Sequence, residues 1–287
     1  MSACPTSVAS QQLAFATDPE VSQSAPDAAT RWKDGLASWA IPDSILAQAR
    51  ADPWALPVTL FENKRPDSIS PSHRRALESL EAGGTVLDVG AGRCAMSLPL
   101  RPPAQRIVAV DSSPAMLENS PADVTILGRW PDVAAQAGRA SVVVCGHVLY
   151  NVADLIPFVT ALNDAADRRV VVEITRSHPR NRALERVLWR HFWNLERPEV
   201  PTWEDTVAVM REAGIEPEVE LWESQQRGGF ETLNELVSWM RQTVCLTPAR
   251  DDEVRAIVVQ HVAERDGLWR LSPEPRALAT LWWDVTR

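Results

Sequence analysis

The chain has 287 residues, 45% of them apolar, and a formal net charge of −9. That length accommodates one large domain with additions, or two small ones, and the apolar content permits a proper core. An acidic balance argues against a nucleic-acid footprint, which needs a basic face, and no run approaches the ~20 apolar residues that span a bilayer.

Cys4, Cys94, Cys145 and Cys245 are scattered, without CxxC spacing. They read as reduced thiols of a cytoplasmic protein, with neither a disulfide framework nor a metal site. The N-terminus has no basic region followed by an apolar stretch, so no signal peptide is expected. Twelve tryptophans against one tyrosine and five phenylalanines imply aromatic walls, most of them in the core.

Residues 1–27, rich in Ser, Ala, Gln and Pro, bury too little to offset their ordering entropy and read as a disordered tail. Residues 28–80 read as a helical arm or lid. Trp32, Leu36, Trp39, Ile45 and Leu46 suggest short amphipathic helices broken near Pro42, and Pro53, Pro57, Pro66 and Pro71 forbid a long one. "SHRRALESLEAGG" carries Leu77 and Leu80 at helical spacing and stops on Gly83-Gly84.

From residue 81 onward short apolar runs alternate with helical stretches. Strands are expected at 85–89, 106–111, 124–127, 141–145 and 169–175, and again at 216–224 and 276–285. Several are apolar at consecutive positions, the mark of strands covered on both faces. Ser113-Pro114 offers a capping hydroxyl ahead of a proline suited to the first helical turn. "TWEDTVAVMREAG" opens with Thr202, has Asp205 in the capping-box position, and closes on Gly214. The pattern predicts an α/β fold with a mostly parallel sheet and helices on both faces. Between the last two strands lies a helical insertion, about 225–275, of the kind that forms lids or pocket walls.

"TVLDVGAGRCA" places Gly90, Ala91 and Gly92 directly after the first strand, and Asp111 ends the second. Taken alone, G-x-G-x-x-G/A followed by a distant acid is also the dinucleotide fingerprint. Asp88 separates the candidates. A pyrophosphate on this loop would be repelled by a carboxylate two residues earlier, whereas a ligand bearing an ammonium and a sulfonium would be attracted.

On "VLDVGAGRC", "VAVDSSPAML" and "ASVVVCGHVLYNVAD", the sequence resembles the Rossmann-like, class I S-adenosylmethionine-dependent methyltransferases over about residues 80–222. The final "ALATLWWDV" stands where that family's closing antiparallel strand belongs. It also resembles actinobacterial small-molecule-type members of unassigned substrate. The resemblance implies S-adenosylmethionine as cofactor. Asp88, Gly90, Ala91 and Gly92 would line its methionine end, Asp111 would accept from the ribose hydroxyls, and Ser112 and Met116 would sit beside ribose and adenine. Two departures are visible: Cys94 replaces the third glycine, and "GRWPD" replaces the acid often found near the adenine. Trp130 would flank the adenine or belong to the core.

The implied reaction is an in-line transfer of methyl to an O, N or C nucleophile of a small-molecule acceptor, for which alignment and exclusion of water matter most. "CGHVLYNV" follows the fourth strand, where active-site residues gather. Gly146 and His147 would contact the cofactor through the backbone, His147 is the candidate base, and Tyr150 and Asn151 would orient the substrate. Arg176 and His178 lie at the same rim, with capping or structural roles. Glu173, an acid in an apolar strand, is an ion-pair member or a pocket residue. "RALERVLWRHFWNLERP" reads as an amphipathic helix over the rim, and the Asn/Asp-Pro-Pro-aromatic loop of nucleic-acid amino-methylating relatives is missing. The rival readings are an NAD(P)-dependent oxidoreductase and a catalytically idle binding protein of the same fold.

Overall fold

The computed structural model describes residues 26–54, 69–224, 229–271 and 275–286. Of the expected tail at 1–27, residues 1–25 lie outside the described residues, and Asp27 caps the first helix by accepting the Thr30 N–H. Helices α1 (Ala28–Ala37), α2 (Asp43–Leu46) and α3 (Pro71–Leu77) precede the first strand. Strands β1 (Thr85–Val89), β2 (Arg106–Asp111), β3 (Val124–Leu127), β4 (Ala140–Gly146), β5 (Ala166–Thr175) and β6 (Glu218–Ser224) follow the predicted runs closely. Between them come α4 (Pro114–Leu117), α5 (Ala134–Ala137), α6 (Leu155–Ala165), α7 (Ala183–Trp193) and α8 (Trp203–Glu212). The insertion contains α9 (Leu233–Thr243), α10 (Asp251–Val258) and a hairpin of β7 (Ala263–Arg265) and β8 (Leu268–Arg270), before β9 (Arg276–Asp284). The hairpin is an addition to the expected all-helical insertion; Asp266 and Gly267, both at positive φ, make its turn.

Seven strands form one sheet in the order β3-β2-β1-β4-β5-β9-β6. All neighbours among β1 to β5 pair in parallel, and β9 runs antiparallel between β5 and β6. This is the Rossmann-like architecture expected, including the antiparallel closing strand. Its consecutive apolar residues serve two cores. Val86, Ile107, Val142, Val144, Val171 and Trp282 face α3, while Leu87, Val89, Val108, Val143, Val170 and Val172 face Phe158 and Leu162 of α6 and Met210 of α8. Neighbours of β1 leave in opposite directions, β2 to one side and β4 to the other. That reversal opens a crevice at the carboxyl ends of the strands, the usual ligand position in such sheets.

The helices before β1 are built into this domain. Trp32 of α1 is fully buried, stacks on Tyr150 with centroids 5.6 Å apart, and donates its indole N–H to the Val152 carbonyl at 2.7 Å. Trp32→Ala is expected to remove about 3–5 kcal/mol of stability, measured by urea denaturation. On the opposite face α3 buries Ser72, His73 and Ala76. The His73 ring accepts from the Ser70 backbone N–H and donates from Nε2 to the Ala95 carbonyl at 3.1 Å, tying α3 to the glycine loop.

Three further features position the site. After the glycine loop the expected helix is replaced by turns and one 3₁₀ turn at Leu98–Leu100. Pro99, Pro102 and Pro103 remove the backbone donors a helix there would use. Ser113 does not cap α4 with its hydroxyl; its backbone N–H goes to Asp111 instead. Asp205 accepts the Thr202 N–H at 2.8 Å, the capping interaction expected for α8. The insertion builds a second core with α2 and α7, in which Leu184, Leu188 and Trp189 meet Leu236, Trp239, Met240 and Val254. No helix among the described residues is long and apolar enough to cross a membrane.

Candidate active site

The loop after β1 alternates left-handed residues, with φ of 69° at Gly90, 51° at Gly92 and 61° at Cys94. The Gly90 and Ala91 N–H groups both donate to the Val110 carbonyl, at 2.8 and 3.0 Å, and so fold the chain back over β2. A Cβ on Gly90 would stand 2.1 Å from Val148 Cγ2, whereas one on Gly92 would meet no protein atom within 4 Å. Gly90 therefore serves the fold, and Gly92 faces open space, a cradle that a side chain would fill. Cys94 keeps the backbone conformation of the glycine it replaces and is buried beside Ser120.

Asp111, at the tip of β2, spans the loop. One carboxylate oxygen accepts the Gly92 N–H and the other the Ser113 N–H, both at 2.9 Å. Ser112 is exposed and Met116 half-buried beside it. The loop after β1 runs into turns and a 3₁₀ turn, so no regular α-helix starts directly from it.

Asp88 departs from expectation. It is 1% exposed, and its carboxylate is turned inward to accept the Ser97 hydroxyl at 2.6 Å. Burial, reinforced by the nearby Asp111 charge, pushes its pKa up to about 7 against the pull of Ser97. The folded protein thus holds a proton that an unfolded chain, with the ordinary value of 3.8, has already released. Between those two values the native state binds more protons, so stability declines as pH rises from about 4 to about 7 and then levels off. Asp88→Asn is expected to match the wild type near pH 4 and exceed it at pH 8 by up to about 4 kcal/mol, read from urea denaturation at both pH values.

The glycine loop, the acid that ends β2 and the switch-point crevice converge at one end of a β3-β2-β1-β4-β5-β9-β6 sheet. The chain matches the family model of a methyltransferase domain over residues 61–217, more than half its length. It belongs to this methyltransferase family. Its methyl donor is S-adenosylmethionine. Among solved structures it is similar to a putative methyltransferase from Bacillus halodurans, with 14% identity and a TM-score of 0.45 over 76% of this chain and 97% of the other. It is also similar to the plantazolicin methyltransferase in complex with a triazolic desmethylPZN analog and SAH, with 15% identity and a TM-score of 0.45 over 91% and 97% of the two chains. Magnesium protoporphyrin IX methyltransferase from Synechocystis PCC 6803 with bound SAH has 15% identity and a TM-score of 0.39, over 70% and 95%. No curated protein matches the chain.

At the other lip of this methyltransferase's crevice, β4 ends at Gly146 and His147 follows it. A Cβ on Gly146 would press to 2.5 Å from Met96 Cγ, so the glycine lets the segment from the loop pass close by. His147 has φ of 61° and is held twice by one residue of β5. Its backbone N–H donates to the Glu173 carbonyl at 2.8 Å, and its Nε2 lies 3.0 Å from the Glu173 carboxylate. The imidazole is about a third exposed (34%), yet its Nδ1 is buried and has no hydrogen-bond partner among the described residues. Burial and the Arg276 charge hold the His147 pKa below the ordinary value, overcoming the pull of Glu173. For Glu173, burial opposes ionisation, but hydrogen bonds from His147 and Ser72 hold its pKa low. The pair is a neutral imidazole donating Nε2–H to a carboxylate, with an acceptor lone pair left on Nδ1.

Other anticipated residues lie elsewhere. Tyr150 is buried, its hydroxyl is spent on the Thr175 carbonyl at 2.9 Å, and burial raises its pKa, so it is a packing residue. Trp130 sits in the core with its indole N–H on the Phe158 carbonyl at 3.3 Å, not against the crevice. Asn151 and Arg176 are exposed at the rim. His178 stacks on Trp39 with centroids 3.9 Å apart, and burial together with Arg180 and Arg197 lowers its pKa to about 3. Sequence reasoning missed Ser72, His73, Ser97 and Arg276. Only the isolated acid in an apolar strand, Glu173, signalled that partners must converge on it.

Proposed function

We propose that this methyltransferase acts on a small-molecule acceptor bound over the carboxyl ends of β4, β5 and β9, with His147 as the base and Glu173 as its positioning residue. When bound, S-adenosylmethionine supplies a methyl on a cationic sulfur whose bond electrons stay with the departing thioether. The loop fits that group as a cradle. Gly90, Ala91 and Gly92 would line its methionine end, Gly92 leaving the space and Gly90 shaping the turn, and Gly146 would add backbone contact. Asp111 would take the ribose hydroxyls on lone pairs that the Gly92 and Ser113 N–H groups leave free, with Ser112 and Met116 alongside. Asp88 lies beneath the loop, where Ser97 holds its carboxyl inward, and a cation bound above it would favour release of its proton.

The acceptor's lone pair forms the new bond to carbon, and its proton passes to His147 Nδ1. Glu173 keeps the opposite nitrogen protonated, which fixes the tautomer that can take a proton. One observation carries this reading: the Nδ1 of a doubly anchored histidine, beside the glycine loop, has no partner among the described residues. The test is calorimetry with SAH and NADH, followed by SAH release across a panel of hydroxy, amino and acidic-carbon acceptors. Binding of SAH alone and turnover of a panel member support the reading. Tight NADH binding, or SAH binding without any turnover, would overturn it in favour of an oxidoreductase or an idle fold.

A further inference from the structure

Beyond His147 the same rim carries an excess of cations. Arg180 is 9% exposed. Its guanidinium lies 5.7 Å from the Trp54 ring centroid and 5.5 Å from that of Trp239. Nη2 donates to the carbonyls of Pro53 and Trp54, while Nη1 is buried with no hydrogen-bond partner. Arg182, at the start of α7, donates to Glu185 at 2.8 Å and also lies 5.9 Å from the Trp239 ring centroid. Arg197 is buried between Trp39 and Trp189. Arg276, the first residue of β9, is close enough to Arg182, Glu173 and His147 to act on each through its charge. Its backbone pairs with Ser224 of β6, and its side chain makes no hydrogen bond or ion pair with another described residue.

Three acids face these four arginines: buried Glu185, 4.0 Å from Arg180 Nη1, buried Glu173, and exposed Asp52, whose charge acts on Arg180; both neighbouring histidines, His147 and His178, are held neutral. Half-buried positive charge is therefore left over among the described residues. Uncompensated charge of that kind opposes folding unless an anion completes it. Arginine forks, moreover, match the planar geometry of an oxyanion in two parallel hydrogen bonds. Arg182 is 26% exposed and the His147 side chain 34% exposed at the rim, with Nδ1 itself covered until an acceptor displaces its neighbours.

We infer that the acceptor is an organic anion, its carboxylate or phosphate held by Arg276 and Arg182 while its nucleophilic atom meets His147 Nδ1. The inference rests on the proposed acceptor site, and it adds a specificity determinant that cofactor binding does not require.

The experiment uses the full chain saturated with SAH and three probes of similar size: benzoate, phenyl phosphate and neutral benzamide, titrated by calorimetry and thermal shift. At least one anion is expected to bind and benzamide to bind at least about tenfold more weakly, with anion affinity falling about tenfold between roughly 0.05 and 0.5 M salt. The two anions distinguish a carboxylate from a phosphate group. Arg276→Gln is expected to weaken the anion at least about tenfold and to leave SAH affinity within about twofold. Arg182→Lys, which keeps a charge for Glu185 but loses the fork, gives an intermediate loss. Equal binding of benzamide, absence of anion binding to SAH-loaded protein, or a parallel collapse of SAH affinity in Arg276→Gln would overturn the inference. The last outcome would assign the arginines to the cofactor carboxylate. Loss of SAH binding by the wild type would instead sink the cofactor site itself, so the two failures are distinguishable. Should Arg276→Gln fail to fold, the comparison of benzoate with benzamide on the wild type decides.

Discussion

Asp111→Ala is expected to weaken SAH binding by a factor of about 30 to 1000, the equivalent of about 2–4 kcal/mol, measured by titration calorimetry. Two losses combine in that figure. The ribose hydroxyls lose a charged acceptor, and the N–H groups of Gly92 and Ser113, each 2.9 Å from the carboxylate, lose the partner that shapes the loop. Asp111→Asn separates the two. It keeps one carbonyl oxygen for a loop N–H but offers an amide donor to the other, so a smaller loss of about tenfold is expected. Both substitutions act on the cofactor's affinity and leave the sheet beneath intact, because β2 is anchored by its apolar positions. An unchanged affinity in Asp111→Ala would mean that the ribose is held by other groups.

His147→Ala is expected to reduce kcat about 10²- to 10⁴-fold with little change in SAH affinity, using any acceptor the wild type turns over. The wild-type rate should fall in acid with an apparent pKa below the ordinary histidine range, because burial and Arg276 hold the imidazole neutral. Across pH 7 to 8 it should be flat as far as His147 is concerned. Glu173→Gln probes positioning. Without the carboxylate the ring loses the interaction that raises its pKa, so the acid limb moves further down. An amide can also donate to Nε2 and favour the wrong tautomer, lowering kcat about 10- to 100-fold. A purely structural Glu173 would change stability and leave the pH profile where it was.

Much of this molecule was legible before any coordinates. Apolar runs such as "RIVAVD" and "RVVVEIT" mark strands because every side chain on both faces must be buried, and a periodicity of that kind survives any tertiary arrangement. Gly90 and Gly92 were equally visible, since positive φ and close approach leave few residue types. Their separate duties were not. Val148, from a loop nearly sixty residues later in the chain, makes Gly90 a packing necessity, and only empty space beside Gly92 leaves room for a ligand. Asp88 shows the same division. Its sign and its place after β1 were evident, yet Ser97 turns the carboxylate inward and burial raises its pKa.

Tyr150 and Trp130 lay close in sequence to expected site positions and were drawn into the core by partners at Thr175 and Phe158. The dyad of His147 and Glu173 depends on β4 and β5 pairing in a register that sets Gly146 opposite Glu173. No spacing in the chain encodes that register locally. The arginines are more scattered still, arriving from the β5–α7 connection and from the start of β9.

Local rules of periodicity, charge and backbone freedom thus determined, from the chain alone, an α/β sheet with a glycine loop and an acid on each of its first two strands. Which polar groups are exposed, paired or left with a free lone pair was decided only by the packed structure. Those properties depend on distances between residues tens to more than a hundred positions apart, and on how much water each is denied.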